Sequence, residues 1–167
     1  MFKCARSLPD LPRLGVTFAL RPGFELLRWF GRGPHESYPD RKRAAAVGLY
    51  SGTVTEQYVP YVLPQEHGNK TDVRWMSLEN PGKCAVRFTA EGGSMECSAG
   101  HFTAQDLFKA KHTIDLAPRA ETIVNLDYAQ RGLGTGSCGP DTLEQYHIRP
   151  STYRFNYSIR PYSPFGK

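Results

Sequence analysis

Tyr153-Arg-Phe-Asn-Tyr-Ser-Ile-Arg160 is the stretch that decides the fold class. Tyr153, Phe155, Tyr157 and Ile159 alternate with Arg154, Asn156, Ser158 and Arg160, and a period of two sends successive side chains to opposite sides of an extended backbone. The spacing predicts a strand with one face in a core and the other in water. Working back along the chain, the same period recurs. Leu14, Val16, Phe18 and Leu20 share a face, and segments 73–78, 84–90 and 121–128 repeat the pattern. Segment 24–30, after the Arg21-Pro-Gly23 turn, carries apolar residues on both sides, as a strand covered twice would. Turn signals at Asn80-Pro-Gly82, Glu91-Gly-Gly93 and Ala117-Pro118 separate short strands, as in an all-β sandwich. One segment departs from this. Thr103-Ala-Gln-Asp106 reads as a capping box with Asp in the usual Glu or Gln place, opening one or two helical turns over 107–112. The expected architecture is all-β: one antiparallel sandwich over 14–167, entered by a ragged segment 1–13.

Composition narrows the function classes. The 167 residues are 40% hydrophobic and 12% aromatic, with no apolar run near the ~20 residues that a membrane-spanning helix needs. Met1-Phe-Lys-Cys-Ala-Arg6 lacks the apolar stretch of a secretory signal, so a cytoplasmic location is expected. The net charge of +5 is spread along the chain, with one short cluster at Arg41-Lys-Arg43, and no nucleic-acid partner is expected. Four cysteines, Cys4, Cys84, Cys97 and Cys138, show no Cys-x-x-Cys spacing, and the five histidines show no metal-ligand spacing. Reduced thiols and no metal are the expectation; whether Cys84 and Cys97 approach each other is open at this level.

Two glycine-bounded loops are chemically crowded: Gly31-Arg-Gly-Pro-His-Glu-Ser-Tyr-Pro-Asp-Arg41 and Gly132-Leu-Gly-Thr-Gly-Ser-Cys-Gly-Pro-Asp141. Glu36 and Asp40 lie four apart, yet loop carboxylates more often cap backbone N–H groups or pair with arginine than share acid–base work. Cys138 has glycines close by but no nucleophile-elbow spacing and no nameable base, so a small residue in a tight loop is the plainer reading. Gln65-Glu-His-Gly-Asn-Lys-Thr-Asp72 reads as a polar surface loop, or as amides and carboxylates that hold sugar hydroxyls. Tyr58, Tyr61, Trp75 and Trp29 fit either a core or a sugar-stacking role; Trp29 is expected in the core, and Tyr58 is open at this level.

The order of three segments is more specific than any one of them. Residues 29–41, then Tyr58-Val-Pro-Tyr-Val-Leu-Pro-Gln-Glu-His-Gly-Asn-Lys-Thr-Asp-Val-Arg-Trp75, then 132–141 resemble the C-terminal domain of the large bacterial β-galactosidases, retaining enzymes of glycoside hydrolase family 2. The resemblance spans about Leu14 to Tyr162. It implies an antiparallel β-supersandwich similar to galactose mutarotase, placed last in a multidomain chain and here incomplete at its N-terminal end, in keeping with the ragged segment 1–13. It also implies that the catalytic glutamates, with the magnesium and sodium sites, belong to a separate barrel. The implied partners are that remainder of the enzyme and a galactoside substrate, with a homo-oligomer possible and hydrolysis absent in this chain alone. The segment matching Gly33, Pro34, His35, Glu36, Tyr38, Asp40 and Arg41 is expected beside the substrate, with Gly33 as a hinge and Asp40 and Arg41 as anchors. The segment holding Ser137 and Cys138 is expected at the pocket mouth, where a related enzyme carries a sugar-stacking tryptophan in place of Cys138. Two other readings stand beside this one: an autonomous carbohydrate-binding sandwich, and an aldose 1-epimerase. The second lacks a trio of acid–base groups, because adjacent Glu66 and His67 point to opposite sides of an extended segment.

Overall fold

The computed structural model describes residues 1–5, 7–82, 84–136 and 138–163. In chain order the strands are β1 (Phe2–Lys3), β2 (Arg13–Leu20), β3 (Leu26–Gly33), β4 (Ala46–Thr53), β5 (Lys70–Val73), β6 (Trp75–Glu79), β7 (Ala85–Ala90), β8 (Met95–Gly100), β9 (Thr122–Gln130), β10 (Thr152–Tyr153) and β11 (Tyr157–Tyr162). They form two larger antiparallel sheets, ordered β11-β7-β6-β3-β4 and β2-β9-β8-β5, and a small ribbon of β1 with β10. The all-β antiparallel sandwich is therefore what the alternation specifies.

Inward residues of the two sheets meet in one core. Leu27, Trp29, Met76, Leu78 and Phe88 face Val73, Met95, Cys97, Val124 and Leu126, all of them buried. Partly buried Val16, Phe18 and Leu20 of β2 pack against this cluster, and the Phe18 and Phe88 rings lie 5.4 Å apart. Truncating a residue such as Phe88 to Ala would cost about 3–5 kcal/mol, because the transfer term and the cavity term add. Cys97 sits in this core and Cys84 is exposed; both are free thiols.

Three details differ from the sequence expectation. β3 is covered on one face only: Leu27 and Trp29 point inward while Leu26 is 45% exposed and Arg28 lies outside with it. Segment 73–78 is two strands in different sheets, because Asp72 takes φ of 54° and the chain crosses from β5 to β6 at Arg74. The stretch 153–160 is likewise divided between β10 and β11, with the Asn156 carbonyl accepting from Glu91 N–H at 2.9 Å in between. As an edge strand β11 has a partner on one side only, and Ile159 remains 50% exposed.

Helix α1 (Ala104–Lys109) starts at the expected capping box, with Thr103 and Asp106 exchanging side-chain and backbone bonds, and it ends by Ala110. The segment before β2 is tied down at several points: β1 pairs with β10, Leu11 bridges to Ile148, and Asp10 bonds Arg131 at 2.6 Å. The other exposed edge, β4, reads Ala-Val-Gly-Leu-Tyr-Ser-Gly-Thr, without a charge or a proline, and leaves Leu49 71% exposed.

Candidate functional site

The site grows from the end of β3. After Gly33, a cis peptide leads into Pro34 and the chain leaves the sheet. Glycine is required at Gly33 by close approach: an added Cβ would lie 2.7 Å from Tyr50 Cδ2 and 3.0 Å from Trp29 Cζ2. The departing loop is then braced by residues 69–71. Lys70 Nζ donates to the Pro34 carbonyl at 3.2 Å, Ser37 N–H donates to the Asn69 carbonyl at 2.8 Å, and Asn69 Nδ2 returns a bond to the Ser37 carbonyl at 3.0 Å. Ser37 Oγ also pairs with Thr71 Oγ1 at 2.9 Å and accepts from Thr71 N–H. Ser37, Asn69, Lys70 and Thr71 are all buried, so the run expected as a surface loop is, over these residues, an internal brace. Polar residues are tolerated there because each has a partner, which is the condition for burying them.

Lys70 lies 5.0 Å over the Trp29 ring, and burial pushes its ammonium down to about 8. Below the same brace, the Glu96 carboxylate accepts from Asn69 Nδ2 at 2.7 Å. Burial pushes Glu96 up to about 7 against the opposing bonds from Asn69 and Gln130 N–H, with Asp127 adding to the rise. Asp127 is itself held by Arg13 at 2.5 Å.

Glu36 is the electrostatic centre of the loop. Its carboxylate accepts from Tyr61 OH, from Arg41, from Gly68 N–H at 2.8 Å and from Tyr38 OH at 3.2 Å. Burial alone would raise this carboxyl, but the Tyr61 and Gly68 donors and the Arg41 charge outweigh it and hold Glu36 below its ordinary range. Tyr38 is buried, and burial next to the Glu36 charge pushes its phenol well above the usual value. The Arg41 guanidinium covers the Tyr38 ring at 5.1 Å, across a turn in which the two backbones exchange bonds. Every strong acceptor direction of Glu36 is thus in use within the protein.

Asp40 joins the two glycine-bounded loops. It accepts from Leu133 N–H at 3.0 Å and Gly134 N–H at 2.8 Å. The second loop fits the first closely, since a Cβ on Gly132 would lie 2.8 Å from the Asp40 carboxylate, and Gly134 takes φ of +63°, where side chains are disfavoured. Arg131 secures its base through Asp141 at 2.7 Å and Thr142 Oγ1 at 2.8 Å. Cys138 is exposed, its N–H donating to the Thr135 carbonyl at 2.9 Å; Ser137 lies outside the described residues.

Along this seam runs an open groove of about 1210 Å³ lined by His35, Glu36, Asp40, Arg41, Tyr61 and Tyr146, among others. A second, of about 870 Å³, continues it past Leu133, Gly134 and Leu143. The structure therefore brings together Gly33, Pro34, His35, Glu36, Tyr38, Asp40 and Arg41 and adds residues 132–134 through Asp40. Glu96 is a participant that sequence reasoning missed, with no local signal to find it; Tyr61, read as a core or sugar-stacking ring, instead bonds Glu36, and Asn69 and Lys70, read within a polar run, brace the loop. Among the described residues no three His, Cys, Asp or Glu side chains converge to hold a metal ion, and no helix is long and apolar enough to cross a membrane.

Fold and site together define an all-β sandwich domain that carries a stapled pair of loops along one polar groove. A family model described as "Beta galactosidase small chain" matches residues 2–159, and the chain belongs to that family. It is 37% identical over 153 residues to a β-galactosidase of Arthrobacter sp. (strain B7), covering 89% of this chain and 15% of that protein. It is 39% identical over 155 residues to a β-galactosidase of Vibrio cholerae, covering 92% of this chain and 14% of that protein. The Kluyveromyces lactis β-galactosidase is 35% identical over 156 residues, again 90% of this chain and 14% of the relative. The chain thus spans about one-seventh of the length of these relatives.

Proposed function

We propose that this chain is the C-terminal part of a cytoplasmic β-galactosidase that hydrolyses terminal β-D-galactosides, and that it builds the rim of the active site without supplying the reacting groups. The observation that carries the reading is the match over residues 2–159 to proteins of which the chain covers only 14–15%. The committed state of the carboxylates supports it: Glu36 is engaged by four donors and Asp40 by two backbone N–H groups, whereas a glycosidase pair must reach the sugar from both sides of the scissile bond. The rim residues are Gly33, Pro34, His35, Glu36, Tyr38, Asp40, Arg41, Ser137 and Cys138. Magnesium and sodium sites belong, on this reading, to the catalytic remainder, and the sandwich is a portion of a larger mutarotase-like one. The test is hydrolysis of a chromogenic β-galactoside by the chain alone and after mixing with the N-terminal remainder of its parent enzyme. Activity only in the mixture is expected. Activity from the chain alone would overturn the reading, and saturable galactoside binding by the chain alone would favour an autonomous binding module instead.

A further inference from the structure

We infer that His147 is a proton-operated clasp between the second glycine-bounded loop and the segment that leads into β2: with one proton its ring holds Thr142 alone, and with two it holds Thr142 and Asp10 together. The ring is largely enclosed, and its Nε2 lies 3.0 Å from the Thr142 carbonyl. A carbonyl can only accept, so Nε2 carries a hydrogen, and in the neutral ring Nδ1 is left as a bare lone pair. Nδ1 is buried and has no hydrogen-bond partner among the described residues; what it faces is the Asp10 carboxylate at 3.6 Å, acceptor against acceptor. The opposite tautomer is worse, because Nε2 would meet the Thr142 carbonyl lone pair to lone pair and gain only a distant donor, Arg131 Nη2 at 3.4 Å. A second proton, taken from solvent, removes the conflict. Nδ1–H then points at Asp10, and a small rotation of the ring closes the gap to a charge-assisted bond while Nε2–H keeps Thr142.

Charge favours the same step. The groups that face the ring are Asp10 from the approach to β2, Arg131 from just after β9, and Asp141 from the loop itself. On the ring's own segment Glu144 is already paired with Arg149. Arg131 bridges the two aspartates, at 2.6 Å to Asp10 and 2.7 Å to Asp141. Two carboxylates thus share one permanent cation, and an imidazolium brings the cluster to neutrality. Arg131 repels that new charge, but it is one cation set against two anions. The elements joined are the base of the loop and the entry to the sandwich. Thr142 closes the loop by donating its hydroxyl to the Gly132 carbonyl at 2.7 Å, and Leu11 bridges to Ile148, next to His147. The clasp therefore holds the loop more firmly on the acid side of neutrality and releases Asp10 as pH rises. It concerns this chain's own residues and does not depend on the activity proposed above.

The experiment uses the chain as it stands, at about pH 8 and about pH 5.5, on either side of the range in which imidazoles titrate. Ring ¹⁵N shifts of His147 read its protons directly: a hydrogen on Nε2 alone is expected at the higher pH and on both nitrogens at the lower. Hydrogen exchange, corrected for the intrinsic effect of pH, is followed at two amides that flank the ring, Leu11, which donates to the Ile148 carbonyl, and Gly132, which donates to that of Tyr146. Protection at both should rise about tenfold from the higher to the lower pH, the worth of a hydrogen bond between charged groups. His147→Gln, which keeps a donor for Thr142 but cannot take a second proton, and Asp10→Asn should each lose that rise. The titration of Glu96 is common to all three proteins and cancels in the comparison. A hydrogen on Nδ1 at the higher pH overturns the inference, and so does an equal rise in protection in the variants. Should either variant fail to fold, the ring shifts and the protection ratio of the unaltered chain decide between them, a flat ratio counting against the clasp.

Discussion

Asp40 and Gly134 lie 94 positions apart in sequence, and a 2.8 Å hydrogen bond from the Gly134 N–H to the Asp40 carboxylate closes the seam between the two loops. Together with the bond from Leu133 it is the direct side-chain tie across the groove. Asp40→Ala should cost about 1–2 kcal/mol, since one part-buried and one exposed N–H group lose their acceptor. Asp40→Asn, which keeps one oxygen, should fall between. Amide hydrogen exchange at Leu133 and Gly134 reads the result directly, and unchanged protection in the alanine variant would show that the tie lies elsewhere.

Gly33→Ala places a methyl against Tyr50 and Trp29, and the Trp29 ring has no room to give way, because it is buried in the core and bonds the Arg32 carbonyl. The expected outcome is a loss of about 1–3 kcal/mol from overpacking, seen in denaturant unfolding of this chain on its own. A variant as stable as the unaltered chain, yet altered in turnover once complemented, would instead favour a hinge role for this glycine.

Glu36 ties pH to the integrity of the loop. Its folded pKa is held below the ordinary 4.5, so its contribution is fully present above that value and is lost as pH falls through the folded pKa. Glu36→Gln should lower stability near neutral pH by about 2–4 kcal/mol, because Arg41 and the Gly68 N–H lose a charged acceptor. Unfolding free energy measured from pH 6 downward should then fall less steeply in the variant than in the unaltered chain.

Glu96 acts in the opposite direction. Its folded pKa of about 7 lies above the ordinary 4.5, so between these values the folded state holds more protons than the unfolded one. Stability should therefore decline as pH rises across that window, by on the order of 1–3 kcal/mol. Glu96→Gln should flatten the decline while keeping an amide oxygen for Asn69. An unaltered slope in the variant would assign the titration to another group.

Cys138→Trp tests the proposed placement of Cys138 at a pocket mouth. In the complemented enzyme a ring at this exposed position should raise affinity for glucose as an acceptor, through the stacking that an indole offers a pyranose face. The ratio of transfer to hydrolysis product reports it, and an unchanged ratio would remove Cys138 from the pocket mouth.

The sandwich was legible because its strands obey a local rule: Leu14, Val16, Phe18 and Leu20 need only alternate to announce a buried face. The loop carboxylates were legible too, since Asp40 caps N–H groups and Glu36 pairs with Arg41, as their positions beside prolines and arginines suggested. What escaped was β5. Asn69, Lys70 and Thr71 are polar, and nothing in their own sequence separates a buried polar strand from a wet loop; the difference lies in Pro34 and Ser37, more than thirty residues away. The division of 73–78 between two sheets escaped for a related reason. Asp72 sits in the left-handed region with its carboxylate held by Arg32 and Lys42, thirty and more residues away, tertiary ties with no local mark.

Arg131 gives the second loop an unexpected reach. One guanidinium holds Asp10, at the approach to β2, and Asp141, beside the groove. A change of sequence or a fused partner near residue 10 therefore loads the same cation that shapes the second loop, and the geometry of that loop inherits the disturbance. In engineering terms, the region around Asp10 is a tuning screw for the groove, not a neutral place to attach a tag.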